Sequence, residues 1–448
     1  HRFKADESYR LSKDKKAVEA YLDIESIIQI AKDVNADAIH PGYGFLSENT
    51  EFARRCKEEG IKFIGPSHEI LDMFGDKVKA REAAKKANIP LIPGSDGPVE
   101  SLEEVVEFGK TAGYPIIIKA ALGGGGRGMR VVRSEDEVAE QYRLAVSEAT
   151  KAFGSGEAYV EKYVEGPKHI EVQIMADEQG NTMHLWERDC SVQRRHQKVV
   201  EVAPTVNMSM ELRNRICNSA RDFLDSVDYA NAGTVEFLLD GDDFYFIEVN
   251  PRVQVEHTIT EQITGVDIVQ TQIRVAAGES LSEIGLPAQE DLPLNGFAIQ
   301  CRVTTEDPNN NFFPDTGKIN TYRSPGGFGV RLDAGNGFQN TVVSPYFDSM
   351  IAKLITYGTD FEDTVAKTDR ALREYRVRGV KNNIPFLRNV VNHPVFQKGT
   401  ANTVFIDNIS ELFDFPKERN RDRGNKVLQY IGDISVNDFP GIENRSEE

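Results

Sequence analysis

The most informative part of the chain is Glu236-Phe-Leu-Leu-Asp-Gly-Asp-Asp-Phe-Tyr-Phe-Ile-Glu-Val-Asn-Pro-Arg-Val-Gln-Val-Glu-His257. Two apolar runs flank an acidic turn that contains glycine, which is typical of a β-hairpin. If residues 241–243 form the connection, Glu236 faces Glu248 across the strands and Asn250 follows on the same face. Facing carboxylates repel each other, and Mg²⁺ removes the repulsion. The hairpin thus predicts a metal site at these three residues, unless both glutamates are solvated on an outer face.

The residues after the hairpin predict an anion site. If they are extended, Arg252, Gln254 and Glu256 share one face. A second basic stretch, Gln193-Arg-Arg-His-Gln-Lys198, stands out in an acidic chain. Arginine and lysine together suit a small oxyanion, and a neighbouring carboxylate can act as a general base. The alternative is a solvated surface patch.

A glycine run, Gly123-Gly-Gly-Gly-Arg-Gly128, separates two apolar segments that read as strands, Ile116-Ile-Ile-Lys119 and Met129-Arg-Val-Val-Arg133. A dinucleotide-binding loop needs a helix after the glycines, and a P-loop needs Lys-Ser or Lys-Thr, so neither motif fits. A glycine loop between two strands instead predicts a flap over nucleotide phosphates, with Lys119 as a phosphate ligand. The alternative is a flexible hairpin with an exposed lysine.

Residues 15–72 alternate helical patterns with short apolar strands, which predicts a parallel sheet. The loop His40-Pro-Gly-Tyr-Gly44 follows one of these strands at its carboxyl end, where open α/β sheets bind ligands. It could also be an ordinary tight turn. Residues 296–357 are rich in strand patterns and 361–393 in helical ones. The chain is therefore expected to be a multidomain α/β and α+β protein.

Composition narrows the function classes. A formal net charge of −18 over 448 residues argues against nucleic acid as a partner. There is no run of 18 apolar residues, so no membrane span is expected. The four cysteines are far apart, which fits neither a disulfide framework nor a zinc site and predicts a reducing compartment, cytoplasmic or the mitochondrial matrix in a eukaryote. Because residue 1 is His rather than Met, the chain is expected to start within a longer protein or after processing.

Together these motifs resemble the biotin carboxylase domain of biotin-dependent carboxylases, an ATP-grasp fold. The resemblance runs from residue 1 to about 405. Its motifs are His40-Pro-Gly-Tyr-Gly-Phe-Leu-Ser-Glu-Asn49, Gly75-Asp-Lys77, the glycine flap, Glu161-Lys-Tyr163, Glu187-Arg-Asp-Cys-Ser-Val-Gln-Arg-Arg-His-Gln-Lys198 and the segment from Glu248 to His257. Within this family, the opening His1-Arg-Phe-Lys-Ala-Asp-Glu-Ser-Tyr9, Asn250-Pro-Arg followed by His257-Thr-Ile-Thr260, and a tail from Arg421 to Gly432 resemble the pyruvate carboxylase branch.

The resemblance implies a division of the chain. Residues 1–75 would form an N-terminal parallel α/β domain that is truncated at its start. Residues 76–295 would form the ATP-grasp domain, with a lid at about 91–163, and 296–405 a strand-rich C-terminal biotin carboxylase subdomain. Residues 406–448 would form a linker toward a carboxyltransferase domain that is absent here.

The resemblance also assigns site residues. ATP would be bound by Lys77, Lys119, Gly124, Gly125, Gly126, Glu161, Lys162, His169, Gln193 and His196. Glu236, Glu248 and Asn250 would hold Mg²⁺ or Mn²⁺. Bicarbonate would be bound by Lys198, Arg252, Gln254 and Val255, and Glu256 would be the base, so the catalytic set is Glu256, Arg252, Lys198 and Arg302. Biotin would be bound by Tyr43, Gly44 and Arg302.

Biotin carriers attach biotin to a lysine flanked by methionines, and none of the seven methionines here is next to a lysine. Biotin is therefore expected on a carrier domain of the same polypeptide, which would also contain the carboxyltransferase domain. The resemblance implies a homodimer of this domain within a homotetramer. The alternatives left open are the biotin carboxylase part of an acyl-CoA carboxylase, another ATP-grasp ligase, and a module that binds ATP without catalysis.

Overall fold

The computed structural model describes residues 5–12, 14–95, 97–120, 129–153, 157–335, 337–415 and 423–437. Its N-terminal unit contains two short strands that pair in parallel, as the alternating sequence pattern predicts. Asn49 begins a helix by accepting a hydrogen bond from the Phe52 N–H at 2.8 Å. Around these strands a small core forms that includes Ile28, Phe52 and Leu71. The elements are α1 (Ala17–Tyr21), α2 (Ile24–Asp33), β1 (Ala38–Ile39), α3 (Thr50–Glu58), β2 (Lys62–Phe63) and α4 (His68–Gly75).

The next part of the chain builds a small separate layer, called here the lid unit (residues 102–162). A connecting helix, α5 (Lys77–Lys86), precedes it. The lid unit consists of α6 (Leu102–Ala112), β3 (Ile116–Ala120), β4 (Met129–Val132), α7 (Glu135–Phe153) and β5 (Ala158–Lys162). Its strands form an antiparallel sheet in the order β4-β3-β5, over a core that includes Val105, Ile116 and Val138. The two predicted strands are thus present and pair with each other, while the glycine run between them falls in residues 121–128, outside the described residues.

The central part of the chain supplies five long strands and the helices that pack on them. They are β6 (Lys168–Ala176), β7 (Thr182–Arg194), β8 (Gln197–Ala203), α8 (Met210–Asp225), β9 (Asn231–Asp240), β10 (Asp243–Asn250), α9 (His257–Thr264), α10 (Ile268–Ala276) and α11 (Leu281–Ile284). The largest hydrophobic core lies here and includes Ile174 and Leu185 of the sheet with Ile216 and Phe223 of α8. This core fixes one face of the sheet and so determines its register.

The C-terminal part is rich in strands and then in helices, as predicted. Its elements are β11 (Phe297–Thr304), β12 (Glu306–Asp307), β13 (Phe313–Pro314), β14 (Gly317–Lys318), β15 (Thr321–Arg323), β16 (Val330–Ala334), β17 (Val342–Val343), β18 (Met350–Gly358), α12 (Phe361–Glu374), β19 (Arg376–Arg378), α13 (Ile384–Asn392), α14 (Pro394–Gln397), α15 (Phe405–Asn408) and α16 (Arg423–Asn437). None of the helices in the described ranges has both the length and the apolar character needed to cross a membrane. Of the predicted linker, residues 416–422 and 438–448 lie outside the described residues.

One antiparallel sheet of eight strands runs through both the central and the C-terminal parts, in the order β10-β9-β6-β7-β8-β11-β18-β16. The pairing of β8 with β11 places Val200 opposite Cys301. The sheet is therefore continuous across residue 295, where the sequence alone suggested a change of subdomain. This continuity brings side chains from β8 and β11 to one site.

The β9–β10 hairpin differs from the expected one in its details. Its turn has two residues, Gly241 and Asp242, rather than three, because Asp240 pairs with Asp243. An irregularity between Phe246 and Glu248 then shifts the register by one residue, so that Glu248 still lies opposite Glu236. The predicted pair of carboxylates is present, but the expected three-residue turn is wrong.

Candidate active site

A large open cleft of about 3240 Å³ lies where the N-terminal loop, the lid unit, the end of the β9–β10 hairpin and the C-terminal strands meet. Its wall contains most of the charged side chains that the sequence predicts for the site. The predicted site residues that line the cleft are Tyr43, Gly44, Lys77, Lys119, Glu161, His169, Gln193, His196, Lys198, Glu236, Glu248, Asn250, Arg252, Gln254, Val255, Glu256 and Arg302, and Lys353 lines it as well.

At the centre of this cleft, the ammonium group of Lys198 binds three carboxylates. It donates to Glu236 at 2.8 Å and to Glu256 at 2.7 Å, and it also contacts Glu171. Burial lowers the pKa of Lys198, but the three carboxylates outweigh burial and raise that pKa well above its usual range. Lys198 therefore stays charged, and its charge lowers the pKa values of Glu236 and Glu256.

Beneath Lys198 the guanidinium of Arg188 is fully buried and joins several strands. It donates to Glu171 at 2.5 Å, Gln173 at 2.8 Å, Thr260 at 3.0 Å, Thr234 at 3.3 Å and Gln254 at 2.8 Å. Gln254 in turn donates its amide N–H to Glu236 at 2.8 Å. Both ends of the Gln254 amide are thus fixed, and its orientation follows from those two contacts.

Glu256 is the most heavily neutralised carboxylate of the cleft. It accepts from Lys198 at 2.7 Å and from Arg302 Nη2 at 3.0 Å, and only 2% of its surface is exposed. Burial raises the pKa of Glu256, but Lys198, Arg302 and Arg188 together hold it well below its usual range. Glu256 is therefore ionised and is a weak base as long as both cations remain in contact with it.

The predicted metal ligands lie together. Glu236 accepts from Asn250 Nδ2 at 3.0 Å and from His169 Nε2 at 2.7 Å, in addition to its bond with Lys198. Burial alone would lower the pKa of His169, but the neighbouring Glu236 carboxylate outweighs burial and raises that pKa. Glu236, for its part, is buried, yet Lys198 and His169 hold its pKa well below the usual range.

Glu248 is the second carboxylate that could bind a cation in this cluster. It is half-buried opposite Glu236, and burial followed by the charge of Glu236 raises its pKa. A hard divalent cation fits the pair because it would neutralise Glu248 and balance the facing carboxylates. Glu171 also places a carboxylate oxygen within 4.8 Å of ligand atoms of His169 and Glu236, but its carboxylate is already bound by Arg188 and Lys198.

Arg252 does not take the position that the sequence suggested. Residues 251–256 form no strand: the backbone bends at Arg252 and makes a turn at residues 255–256 before α9 begins. As a result, Arg252 donates to Glu48 at 2.6 Å and to Asn250 Oδ1 at 3.0 Å, and these contacts draw it away from Gln254 and Glu256. Arg252 still lines the cleft, but the structure does not bring it into the Lys198 cluster.

Val255 meets an unpredicted partner, Lys353. The Lys353 ammonium donates to the Val255 carbonyl oxygen at 3.1 Å and lies 3.3 Å from Asp333. Burial lowers the pKa of Lys353, and Asp333 opposes this. The backbone carbonyl of Val255 is therefore fixed by a hydrogen bond from a buried lysine of β18.

The nucleotide end of the cleft lies under the lid unit. Lys119 and Arg81 both contact the carboxylate of Glu161, with Arg81 at 3.3 Å. Lys162 instead donates to the backbone carbonyls of Gly113 at 2.9 Å and Tyr114 at 3.3 Å. Lys119 and Glu161 thus face the cleft as predicted, whereas the ammonium of Lys162 is committed to the backbone of its own unit.

The other predicted nucleotide ligands are spread along the cleft. Lys77 begins α5. Its charge partly opposes the rise in the pKa of Glu248 that burial and Glu236 cause. The Gln193 amide nitrogen lies 3.2 Å from His169 Nδ1, and His196 is exposed in the turn between β7 and β8. Gly124, Gly125 and Gly126 lie outside the described residues.

At the opposite end, the His40-Pro-Gly-Tyr-Gly44 loop reaches the cleft. His40 Nδ1 accepts from the Gly42 N–H at 3.0 Å, which tightens the loop. Tyr43 is 42% exposed. Partial burial of its side chain and the charge of Asp348 raise the pKa of Tyr43, and the charge of Arg302 opposes this rise. Tyr43, Gly44 and Arg302, the three predicted biotin residues, therefore line one end of the same cleft.

Sequence reasoning missed four charged residues that organise this site: Glu171, Arg188, Glu201 and Lys353. Each is buried within a strand. Glu171, Glu201 and Lys353 also stand between apolar neighbours, as in Val199-Val-Glu201-Val-Ala203, whereas Arg188 lies between Glu187 and Asp189. A single charge inside an apolar strand is rarely solvated and is expected to be paired, so this signal was available.

An open sheet with a smaller antiparallel lid over a cleft of carboxylates and cations defines a class of ATP-dependent ligases. Three family profiles match the chain: "Biotin carboxylase, N-terminal domain" at residues 1–71, "Carbamoyl-phosphate synthase L chain, ATP binding domain" at 76–284 and "Biotin carboxylase C-terminal domain" at 300–408. The chain belongs to the biotin carboxylase family.

Particular relatives support this placement. The chain is 65% identical over 444 residues to the pyruvate carboxylase of Bacillus subtilis, covering 99% of this chain and 38% of that protein. It thus spans about two fifths of that relative's length. Two solved structures each match 92% of this chain and 90% of their own chains. One is the biotin carboxylase subunit of a pyruvate carboxylase, with 46% identity and a TM-score of 0.81. The other, with 45% identity and a TM-score of 0.82, is the biotin carboxylase domain dimer of the Hydrogenobacter thermophilus 2-oxoglutarate carboxylase in complex with MgADP, ADP and bicarbonate.

Proposed function

We propose that this chain carboxylates biotin at the expense of ATP and bicarbonate. The observation that carries the proposal is the joining of two sites through shared residues. Lys198 binds both Glu236, at the predicted metal site, and Glu256, at the predicted anion site. A reaction that couples a nucleotide phosphate to a small oxyanion needs these two sites in contact.

Bicarbonate would bind at Lys198, Gln254 and Val255, where an ammonium, an amide and a fixed backbone segment meet. Such an anion competes with Glu256 for the ammonium of Lys198. When Lys198 turns toward the anion, the pKa of Glu256 rises from its depressed value, and the carboxylate becomes a better proton acceptor. Binding of the substrate would thus activate its own base.

Lys77, Lys119, Glu161, Lys162, His169, Gln193, His196 and Gly124 to Gly126 are proposed to contact ATP. For Lys162 the proposal requires that the ammonium leave its backbone partners. Mg²⁺ or Mn²⁺ held by Glu236, Glu248 and Asn250 would neutralise charge on the phosphates. The bicarbonate oxygen would attack the terminal phosphorus of ATP, ADP would leave, and the product would be carboxyphosphate.

Carboxyphosphate would then release CO₂ beside biotin, and phosphate would remain. The released phosphate would accept the proton of the ureido nitrogen, and this nitrogen would then attack CO₂ and gain the carboxyl group. Arg302 would stabilise the negative charge that develops on the ureido oxygen, and Tyr43 and Gly44 would line the pocket. Arg252, which binds Glu48 in this structure, would have to turn toward bicarbonate to join the catalytic set.

For the longer protein we propose the carboxylation of pyruvate to oxaloacetate, supported by the 65% identity to a pyruvate carboxylase. A biotin carrier domain and a carboxyltransferase domain of the same polypeptide would be its partners, and this domain would pair as a homodimer within a homotetramer. The proposed divisions are 1–75, 76–295, 296–405 and 406–448, and the order of the three matched profiles supports the first three of them. The four buried free cysteines support a reducing compartment, the cytoplasm or the mitochondrial matrix.

The test is ATP cleavage by the 448-residue chain with bicarbonate and free biotin as variables. ADP release should require bicarbonate, increase with free biotin, and be lost in Lys198→Ala and in Glu256→Ala. ATP cleavage that is indifferent to bicarbonate would contradict the proposal. ATP binding by calorimetry without phosphate release would favour a non-catalytic module.

A further inference from the structure

Arg302 has a second acidic partner, which lies behind the wall of the cleft. Its Nε–H donates to Glu201 at 2.5 Å, and its Nη2–H donates to Glu256 at 3.0 Å. Glu201 is 0% exposed, whereas the side chain of Arg302 is 21% exposed. The guanidinium therefore lies between one carboxylate in the cleft and another buried in the sheet.

Glu201 is itself held in place by a chain of buried polar groups. Gln300 lies opposite Glu201 in the pairing of β8 with β11 and donates its amide N–H to Glu201 at 3.0 Å. The Gln300 amide oxygen accepts from the Thr258 hydroxyl at 2.5 Å. Because both ends of this amide are engaged, the atom of residue 201 that meets it must be an acceptor.

We infer that Glu201 is the positioning residue for Arg302: it fixes the Nε edge of the guanidinium, so that the Nη edge is presented to the cleft. This inference rests on the proposed function, in which Arg302 contacts biotin. An arginine without Glu201 can pair through two parallel N–H groups with Glu256, the geometry that arginine and carboxylate prefer. That pairing would remove Arg302 from biotin and hold Glu256 more tightly.

A purely structural role for Glu201 makes a different prediction. Removing one partner of a buried ion pair destabilises a protein wherever the pair lies. Glu187 provides a matched control, because it is also 0% exposed, accepts from Arg213 at 2.8 Å and is in the same sheet. Its partners are Thr205, Arg213 and Cys217, outside the catalytic cluster.

The experiment measures ATP cleavage by the 448-residue chain with and without free biotin. The variants are Glu201→Gln, Arg302→Gln, the double variant and Glu187→Gln. Glu201→Gln should lower kcat/KM for biotin by about 10- to 100-fold, the scale of a misplaced catalytic group. The KM for ATP should change by less than about twofold. In the Arg302→Gln background, the Glu201 substitution should have an additional effect of less than about twofold, because both residues act through one contact.

Glu187→Gln should lower the melting temperature and leave the stimulation by biotin unchanged. If Glu201→Gln does not give folded protein, Glu201→Asp is used, since it keeps the charge but withdraws it from Nε, and a smaller loss in kcat/KM for biotin is expected. Equal effects of the Glu201 substitution with and without Arg302 would overturn the inference, as would unchanged biotin kinetics. If Arg302→Gln alone leaves stimulation by biotin intact, the proposed role of Arg302 fails, and the inference fails with it.

Discussion

Replacing Lys198 with methionine removes the one ammonium group that contacts Glu171, Glu236 and Glu256 together. Methionine keeps most of the volume of the lysine stem, so the change is largely one of charge. Leaving carboxylates buried without their partner is expected to destabilise the fold by about 3–5 kcal/mol. Loss of a charge placed to bind an anion is expected to lower bicarbonate-dependent ATP cleavage by about 10²- to 10³-fold.

The sign of the pH dependence follows from the pKa shifts. In the wild type, Lys198 helps to hold the pKa values of Glu236 and Glu256 below that of an unfolded glutamate. Depressed carboxyl pKa values stabilise the fold above the unfolded pKa, and this contribution is lost as the pH falls through the folded pKa. In Lys198→Met both pKa values rise. The difference in stability between the two proteins should therefore be largest near pH 7 and narrow as the pH falls toward 4.

Lys168→Met is the matched control. Lys168 is also partly buried, donates to Asp189 at 2.7 Å and to the Gly399 carbonyl at 2.8 Å, and lies outside the Lys198 cluster. The assays are urea unfolding at several pH values and ADP release over a bicarbonate titration. Both variants should lose stability, but only Lys198→Met should lose bicarbonate dependence. Equal activity loss in the two variants, or more than a tenth of wild-type activity in Lys198→Met, would refute the reasoning.

Three further perturbations follow from the structure. Glu248→Gln should weaken Mn²⁺ binding about tenfold, measured by electron paramagnetic resonance, because it removes one of two facing carboxylates. The control Glu178→Gln, at a surface pair with Lys62, should leave the Mn²⁺ affinity unchanged. Equal Mn²⁺ affinities in the two variants would argue against this metal site. Arg188→Met should reduce the free energy of unfolding by about 3–5 kcal/mol, measured in urea, since five buried hydrogen bonds lose their donor; an unchanged midpoint would contradict this. Burial lowers the pKa of His184 to about 4, so the unfolded chain takes up a proton between about pH 6.5 and 4 that the fold does not. Its contribution to stability is complete above pH 6.5 and falls by about 3 kcal/mol toward pH 4, so His184→Gln should flatten the pH dependence in that interval, and an unaltered slope would exclude this origin.

The hairpin shows how far sequence patterns reach. Alternation and an acidic turn were sufficient to predict that Glu236 and Glu248 face each other. They were not sufficient to predict the path: a turn one residue shorter than expected and an irregularity before Glu248 compensate each other. Turn length and bulges depend on packing against neighbouring strands, so local pattern alone does not determine them.

Arg252 shows a second limit. Its spacing from Gln254 and Glu256 suggested a shared face, but that inference required an extended backbone. Between Pro251 and the start of α9 at His257 the backbone is irregular, with a bend at Arg252 and a turn at residues 255–256. The Arg252 side chain instead donates a hydrogen bond to Glu48, which is about 200 positions away in the sequence. No local sequence pattern predicts a partner at that distance.

The buried charges mark a third limit. Glu171 and Glu201 are visible in the sequence as single charges between apolar neighbours, whereas Arg188 is flanked by Glu187 and Asp189. Their partners come from other strands, as Arg302 does for Glu201, and are fixed only when the order of the eight-stranded sheet is known. Motif resemblance was therefore enough to single out Lys198, Glu236 and Glu256, which the structure brings together, while the buried residues that contact them required the fold.

The most direct test of the central claim follows oxygen atoms. Bicarbonate labelled with ¹⁸O is supplied to the 448-residue chain with ATP, Mg²⁺ and free biotin, and the released phosphate is analysed by mass spectrometry before the label exchanges with water. If a bicarbonate oxygen attacks the terminal phosphorus beside Lys198 and Glu256, each phosphate formed should carry one ¹⁸O atom. Phosphate without the label would show that water, and not bicarbonate, is the nucleophile, and would contradict the proposed reaction.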